Sequence, residues 1–79
     1  KSKKIRFNNI CPGYVKTNKI EKSFKSKKRR KSIIERTISN RFGETNDIVN
    51  AVIFLASQNS SYINGITLDV DGGYQVYGL

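Results

Sequence analysis

The sequence predicts an α/β fold, a β-αα-α-β unit with two parallel strands, and three observations carry that prediction. An apolar segment from Ile5 to Cys11 stops at Pro12-Gly13. A helical pattern runs from Glu44 to Ser57. Ile66 to Asp71 then alternates apolar and polar residues with period two, as a half-exposed strand does. Two strands joined by so long a helical connection form a βαβ unit, whose crossover should be right-handed and whose strands should run parallel. Two parallel strands are marginal alone, so the rest of the sheet is expected from elsewhere.

Each element has its own signals. Ile5, Phe7, Ile10 and Cys11 make the first strand, and proline then pushes Cys11 into an extended conformation. Gly13 can adopt backbone angles closed to other residues, so the strand should end abruptly in a shaped loop. Between Ile20 and Ile38 the apolar residues Ile20, Phe24, Ile34 and Ile38 keep a helical spacing that is interrupted by the basic run Lys25 to Lys31. Ser32-Ile-Ile-Glu35 has capping-box spacing, which predicts two short helices with a break near Ser32. Asn18 to Glu21 repeats that spacing more weakly and marks a start for the first helix.

Arg41-Phe42-Gly43 breaks the pattern, and the strongest helix follows. Glu44 and Asp47 sit in its first turn, where carboxylates favour the positive end of the helix dipole. Ile48, Val52 and Leu55 form one apolar stripe, and Val49, Ile53 and Ala56 form a second beside it. An arc that wide predicts burial on more than one side. Gln58 to Gly65 reads as a polar connection, and Gly72-Gly73 ends the second strand.

Composition narrows the function classes. A chain of 79 residues that begins with lysine and contains no methionine reads as a piece of a longer protein; at this size only about 60% of the unfolded surface is buried. The net charge of +9 is unevenly divided: residues 1 to 41 carry all fifteen bases and a charge of +13, residues 42 to 79 a charge of −4. One cysteine, Cys11, allows no internal disulfide, and a chain without histidine has too few ligands for a zinc or iron site. The longest wholly apolar run, Ala51 to Ala56, is far below the roughly 20 residues of a membrane span. The expected setting is soluble, reducing and cytoplasmic, with no membrane contact.

Three motifs in order, ICPGYVKT, RFGETNDIVNAVIFLAS and SSYINGITLDVDGGY, cover nearly the whole chain. Together they resemble the C-terminal portion of classical short-chain dehydrogenases/reductases, especially the 3-oxoacyl-(acyl-carrier-protein) reductase type. The resemblance implies a piece of a Rossmann-like doubly wound parallel sheet, incomplete on its own. It divides the chain into a strand and cofactor loop (1–17), basic substrate-lid helices (18–41), and a helix with the last strand (42–79). It also implies NAD or NADP as cofactor, a small carbonyl or alcohol substrate, and a homo-oligomer of the intact subunit.

Cofactor-binding positions follow from the same resemblance: Pro12, Gly13, Val15 and Thr17 match the loop that borders the nicotinamide. The Val15 backbone would meet the carboxamide, and the Thr17 hydroxyl, both donor and acceptor, would bond the carboxamide or a phosphate oxygen. Read without the family, Thr17 or Asn18 is an ordinary helix cap and Pro12-Gly13 an ordinary turn. In the 18–41 stretch, Ser39-Asn40 stands where the family usually has a proline before Arg-Phe-Gly.

The family's catalytic machinery is not in these residues. Its glycine-rich pyrophosphate turn, Gly-x-x-x-Gly-x-Gly, has no counterpart. Its catalytic tyrosine precedes a lysine by four positions, but Asn18, Ile66 and Gly78 stand four residues after Tyr14, Tyr62 and Tyr74, and Tyr77 has only two residues beyond it. No catalytic residue is therefore assigned, and the isolated chain is expected to be inactive. Asp69 and Asp71 share a strand face at acid/base spacing, but their place beside Gly72-Gly73 favours shaping a turn. Cys11 reads as a buried strand-end residue. Two alternatives remain: a basic nucleic-acid-binding peptide centred on Lys25 to Lys31, disfavoured against a solvated helix face, and a non-catalytic segment that joins subunits.

Overall fold

The computed structural model describes residues 4–17 and 27–76. Among them lie strand β1 (Asn9–Pro12), helix α1 (Lys27–Arg36), helix α2 (Thr45–Ala56), a 3-10 turn (Gln58–Ser60) and strand β2 (Thr67–Val70). The strands pair in parallel, from Asn9 opposite Thr67 to Pro12 opposite Val70, as the long connection requires. Leu68 and Val70 are half-buried and Thr67 and Asp69 exposed, so the period of two holds through β2; in β1 Ile10 is half-buried between exposed Asn9 and Cys11, and Pro12 at the strand end is exposed.

β1 begins later than Ile5 because amide side chains replace the ladder upstream. The Phe7 N–H donates to Asn64 Oδ1 at 2.9 Å, and the Ile66 N–H donates to Asn8 Oδ1 at 3.1 Å. Asn8 Nδ2 in turn donates to the Ile63 carbonyl at 3.1 Å. Such side chains offer the backbone an alternative to strand pairing. The Arg6 guanidinium adds bonds to the carbonyls of Ile63 (3.4 Å) and Ser57 (3.2 Å), so the segment is latched to residues 57–66 without being a strand there.

α1 corrects the expectation of a break near Ser32: the helix runs unbroken from Lys27 to Arg36 and carries most of the basic run. A capping pattern satisfies orphan N–H groups only in a first turn, and Ser32 lies beyond the first four residues. Lys31 and Glu35 instead form an exposed i,i+4 pair at 3.9 Å. The buried residue of this helix is Ile33, at 7% exposure, while Ile34 is half-buried and Ile38, past the helix end, is exposed. The expected helix start at Asn18 and the residues Ile20 and Phe24 lie outside the described residues.

α2 agrees with its sequence signals at both ends. Glu44 is the N-cap, and its N–H donates to Asp47 Oδ2 at 2.7 Å. At the other end the Ser57 hydroxyl donates to the Phe54 carbonyl at 2.8 Å. The Ser60 side chain, 1% exposed, lies 2.8, 3.0 and 3.1 Å from the carbonyls of Phe54, Leu55 and Ser57. Its single proton serves carbonyls that the helix end leaves without intrahelical donors. Burial on more than one side is not achieved: Ile48, Ala51 and Leu55 are half-buried, but Val49, Val52, Ile53 and Phe54 are exposed. Among the described residues only Ile33 and Phe42 are buried apolar side chains, so the core is small.

Candidate functional site

Parallel strands end on the same side, and here both exits meet. The Gly13 N–H donates to the Val70 carbonyl at 3.0 Å, which carries the pairing one residue past β1 and places Gly13 against Asp71. A Cβ on Gly13 would lie 2.7 Å from Asp71 Cβ and 2.8 Å from its Cα. Glycine is thus required for room. Unconventional backbone angles, the sequence-based reason, apply instead at Gly72 (φ 62°) and Gly73 (φ 88°) in the facing turn.

The loop then runs alongside the Arg-Phe-Gly corner. The Gly43 N–H donates to the Tyr14 carbonyl at 2.8 Å, and the Lys16 N–H donates to the Gly43 carbonyl at 2.7 Å, forming a parallel bridge between Val15 and Gly43. In such a bridge the flanking groups face the partner and the central residue's own N–H and C=O face away. Val15 accordingly presents both groups to the opposite side, with no hydrogen-bond partner among the described residues. Thr17 follows two residues later and is exposed. Pro12 and Gly13 come together with Tyr14, Asp71, Tyr74 and Gln75 around a recess of about 350 Å³.

Asp71 shapes the facing turn, as expected of an aspartate beside Gly72-Gly73. Its Oδ1 accepts from the Gly73 N–H at 2.9 Å and its Oδ2 from the Gln75 N–H at 3.2 Å. Tyr14 and Tyr74 meet edge to face, 5.3 Å between centroids at 68°. Sequence reasoning missed these tyrosines; their signal was an aromatic residue directly after each glycine turn, Pro12-Gly13 and Gly72-Gly73. Cys11 is exposed, which corrects the expectation of burial: its side chain lies on the sheet face opposite Ile10, the half-buried side.

Arg41 and Asp47 brace the corner that the loop leans on. The Arg41 guanidinium donates to Asp47 Oδ2 at 2.9 Å and to the Phe42 carbonyl at 3.0 Å. This bond, with the Glu44 N–H, holds the Asp47 carboxyl below the usual carboxylate range, and Asp47 raises the Arg41 pKa in return. Among the described residues no group of three or more His, Cys, Asp or Glu could hold a metal ion, and no helix is long and apolar enough to cross a membrane.

A parallel strand pair whose exits meet at one edge is a portion of a doubly wound, Rossmann-type α/β fold. Residues 1–75 match the family described as enoyl-(acyl carrier protein) reductase. The chain belongs to the short-chain dehydrogenase/reductase family. It is 39% identical over 70 residues to the 2-dehydro-3-deoxy-D-gluconate 5-dehydrogenase of Escherichia coli (strain K12), covering 89% of this chain and 28% of that one. A tropinone reductase homolog of Arabidopsis thaliana is 38% identical over 78 residues, covering 99% of this chain and 29% of its own. An Agrobacterium tumefaciens protein described as a 2-deoxy-D-gluconate 3-dehydrogenase, solved with bound NADP, matches at TM-score 0.83 and 39% identity, over 90% of this chain and 29% of that chain. The chain spans under a third of the length of these relatives.

Proposed function

We propose that this chain supplies the nicotinamide-side wall of an NAD(P)-dependent oxidoreductase that interconverts a carbonyl and an alcohol. The observation that carries the reading is the Val15 peptide. Its N–H and C=O face away from Gly43, on the loop that leaves the carboxyl end of a parallel strand. A carboxamide has one donor and one acceptor group, so the pair complements it. Pro12 and Gly13 would fix the loop against β2, and the Thr17 hydroxyl would bond the carboxamide or a phosphate oxygen. The bound dinucleotide would carry the hydride chemistry, while these residues place its ring.

In this reading residues 1–17 are the strand and cofactor loop, 18–41 the substrate-covering part and 42–79 the helix and last strand of the domain. The catalytic tyrosine and lysine and the glycine-rich turn come from outside these residues, and the 79-residue chain is inactive alone, in a cytoplasmic setting. A second contribution is favoured by α2, whose exposed Val49, Val52, Ile53 and Phe54 would pack against a second copy of the chain.

The test is titration of the 79-residue chain with reduced nicotinamide mononucleotide, followed by two-dimensional NMR. Amide shifts at Gly13, Val15 and Thr17 are expected, with none from adenosine diphosphate, which lacks the nicotinamide. Equal shifts from both ligands, or none from either, reject the cofactor role. Oxidation of NAD(P)H by the chain with any carbonyl substrate rejects its inactivity.

A further inference from the structure

Tyr74 stands at the junction of three segments that are distant in sequence. The Arg36 guanidinium, in the last turn of α1, lies 4.6 Å from the centre of its ring. The Tyr14 ring, one residue before Val15, also meets it, edge to face at 5.3 Å. Both geometries are favourable: a cation over an aromatic face, and an edge-to-face aromatic pair.

The turn that carries Tyr74 is itself held. Its N–H donates to the Asp71 carbonyl at 3.1 Å, and the Asp71 carboxylate accepts from Gly73 and Gln75. Further bonds run to the exit of α1: the Ser39 N–H donates to the Gly72 carbonyl at 3.0 Å, and Gly73 lies against Ile38. The ring of Tyr74 therefore contacts both Arg36 of α1 and Tyr14 of the loop. Tyr14 also gives its carbonyl to Gly43, so the orientation of its ring and that of the peptide leading to Val15 are linked.

We infer that Tyr74 is a positioning residue of the nicotinamide-side loop, with Arg36 as its support: the Arg36–Tyr74–Tyr14 contacts hold Tyr14 in place for the Gly43 bridge that points the Val15 N–H and C=O outward. The inference rests on the reading of Val15 as a cofactor contact. It makes the turn after β2 part of the binding apparatus.

The test uses the 79-residue chain with Tyr74→Leu, Tyr74→Phe and Arg36→Gln, read by amide shifts and by affinity for reduced nicotinamide mononucleotide. Tyr74→Leu should move the Val15 and Lys16 resonances and weaken binding by ~2- to 10-fold, the factor an aromatic pair supplies beyond its buried area. Tyr74→Phe keeps the ring and should restore both readouts, and Arg36→Gln should move the same amides by less. The Asn9 and Leu68 amides, within the strand ladder, should stay in place. Unmoved Val15 and Lys16 in both Tyr74→Leu and Arg36→Gln overturn the inference, as does Tyr74→Phe behaving like Tyr74→Leu. If Tyr74→Leu unfolds the chain, Arg36→Gln and Tyr74→Phe still decide. A ring-dependent shift at Val15 without any response to the mononucleotide in the unaltered chain retains the stack and rejects the cofactor reading alone.

Discussion

Gly13→Ala tests whether the loop after β1 is set by room or by backbone angles. The added methyl would sit 2.7 Å from Asp71 Cβ and 2.8 Å from Asp71 Cα, where ordinary contact begins at 3.4 Å. Neither atom belongs to a flexible side-chain end, so the overlap is relieved only by separating the exits of β1 and β2. The bond across that gap, Gly13 N–H to the Val70 carbonyl, is 3.0 Å long and would be stretched beyond useful range. Overpacking costs about 1–3 kcal/mol, and a lost hydrogen bond about 0.5–1.5 kcal/mol. A loss of ~2–4 kcal/mol is therefore expected, read from the denaturant midpoint by circular dichroism. Gly65→Ala is the control, since Gly65 has φ 81° and nothing within 4 Å of an added Cβ. It should cost only the left-handed conformation, roughly 1–2 kcal/mol. Equal stability of Gly13→Ala and the parent chain, or a larger loss at Gly65, would refute the steric account.

Three further expectations concern the supports of the site. The Asp47 carboxyl is depressed in the folded chain, so its contribution is complete above its unfolded pKa of about 4 and is lost as pH falls through the lower folded value; Asp47→Asn should flatten the stability–pH curve below pH ~4, and an unchanged acid limb would contradict this. Ile33→Ala removes one of the two buried apolar side chains among the described residues and should cost about 2 kcal/mol or more in a denaturant titration; a neutral result would show that the core lies elsewhere. Ile53→Lys places a charge on the exposed apolar face of α2 and should abolish self-association in sedimentation velocity, whereas a parent chain that stays monomeric at high concentration would reject that interface.

The parts legible in the sequence are those specified by local pattern. Glu44 and Asp47 before a long apolar arc mark a helix start, and the structure begins α2 at Thr45 with Glu44 as cap. Ile66 to Asp71 alternates cleanly, and β2 lies within it. The end of β1 at Pro12-Gly13 follows from proline chemistry. Parallel pairing follows from the length of the connection.

What was not legible depends on residues that meet across the chain. Nothing near Asn8 announces that residues 63 to 66 will occupy its side chain, so the early end of the β1 ladder is invisible locally. The Ser32 pattern misleads because capping signals are read without knowing that a helix has already started at Lys27. Ile33 and Ile34 are adjacent on α1, and which of them is buried depends on packing that brings in residues from beyond the helix, as the Phe42 ring under the Arg30 guanidinium at 5.8 Å does. The role of Gly13 needed the location of Asp71, 58 positions later. The Arg36–Tyr74–Tyr14 stack likewise joins residues with no sequence relation.

The latch formed by Arg6, Phe7 and Asn8 dictates the order of assembly. Its partners are Ser57, Ile63, Asn64, Gly65 and Ile66, 51 to 58 residues away for the side-chain bonds. Closing a loop of that length costs about 3–4 kcal/mol in chain entropy before any contact repays it. No single bond of the latch covers that, so its bonds and the β1–β2 ladder must form together. β1 cannot pair with β2 until residues 63 to 70 are present, while α2 can form from its own neighbours. Sheet formation is then the slow step, and Phe7, 76% exposed even in the finished fold, is open to solvent throughout that delay.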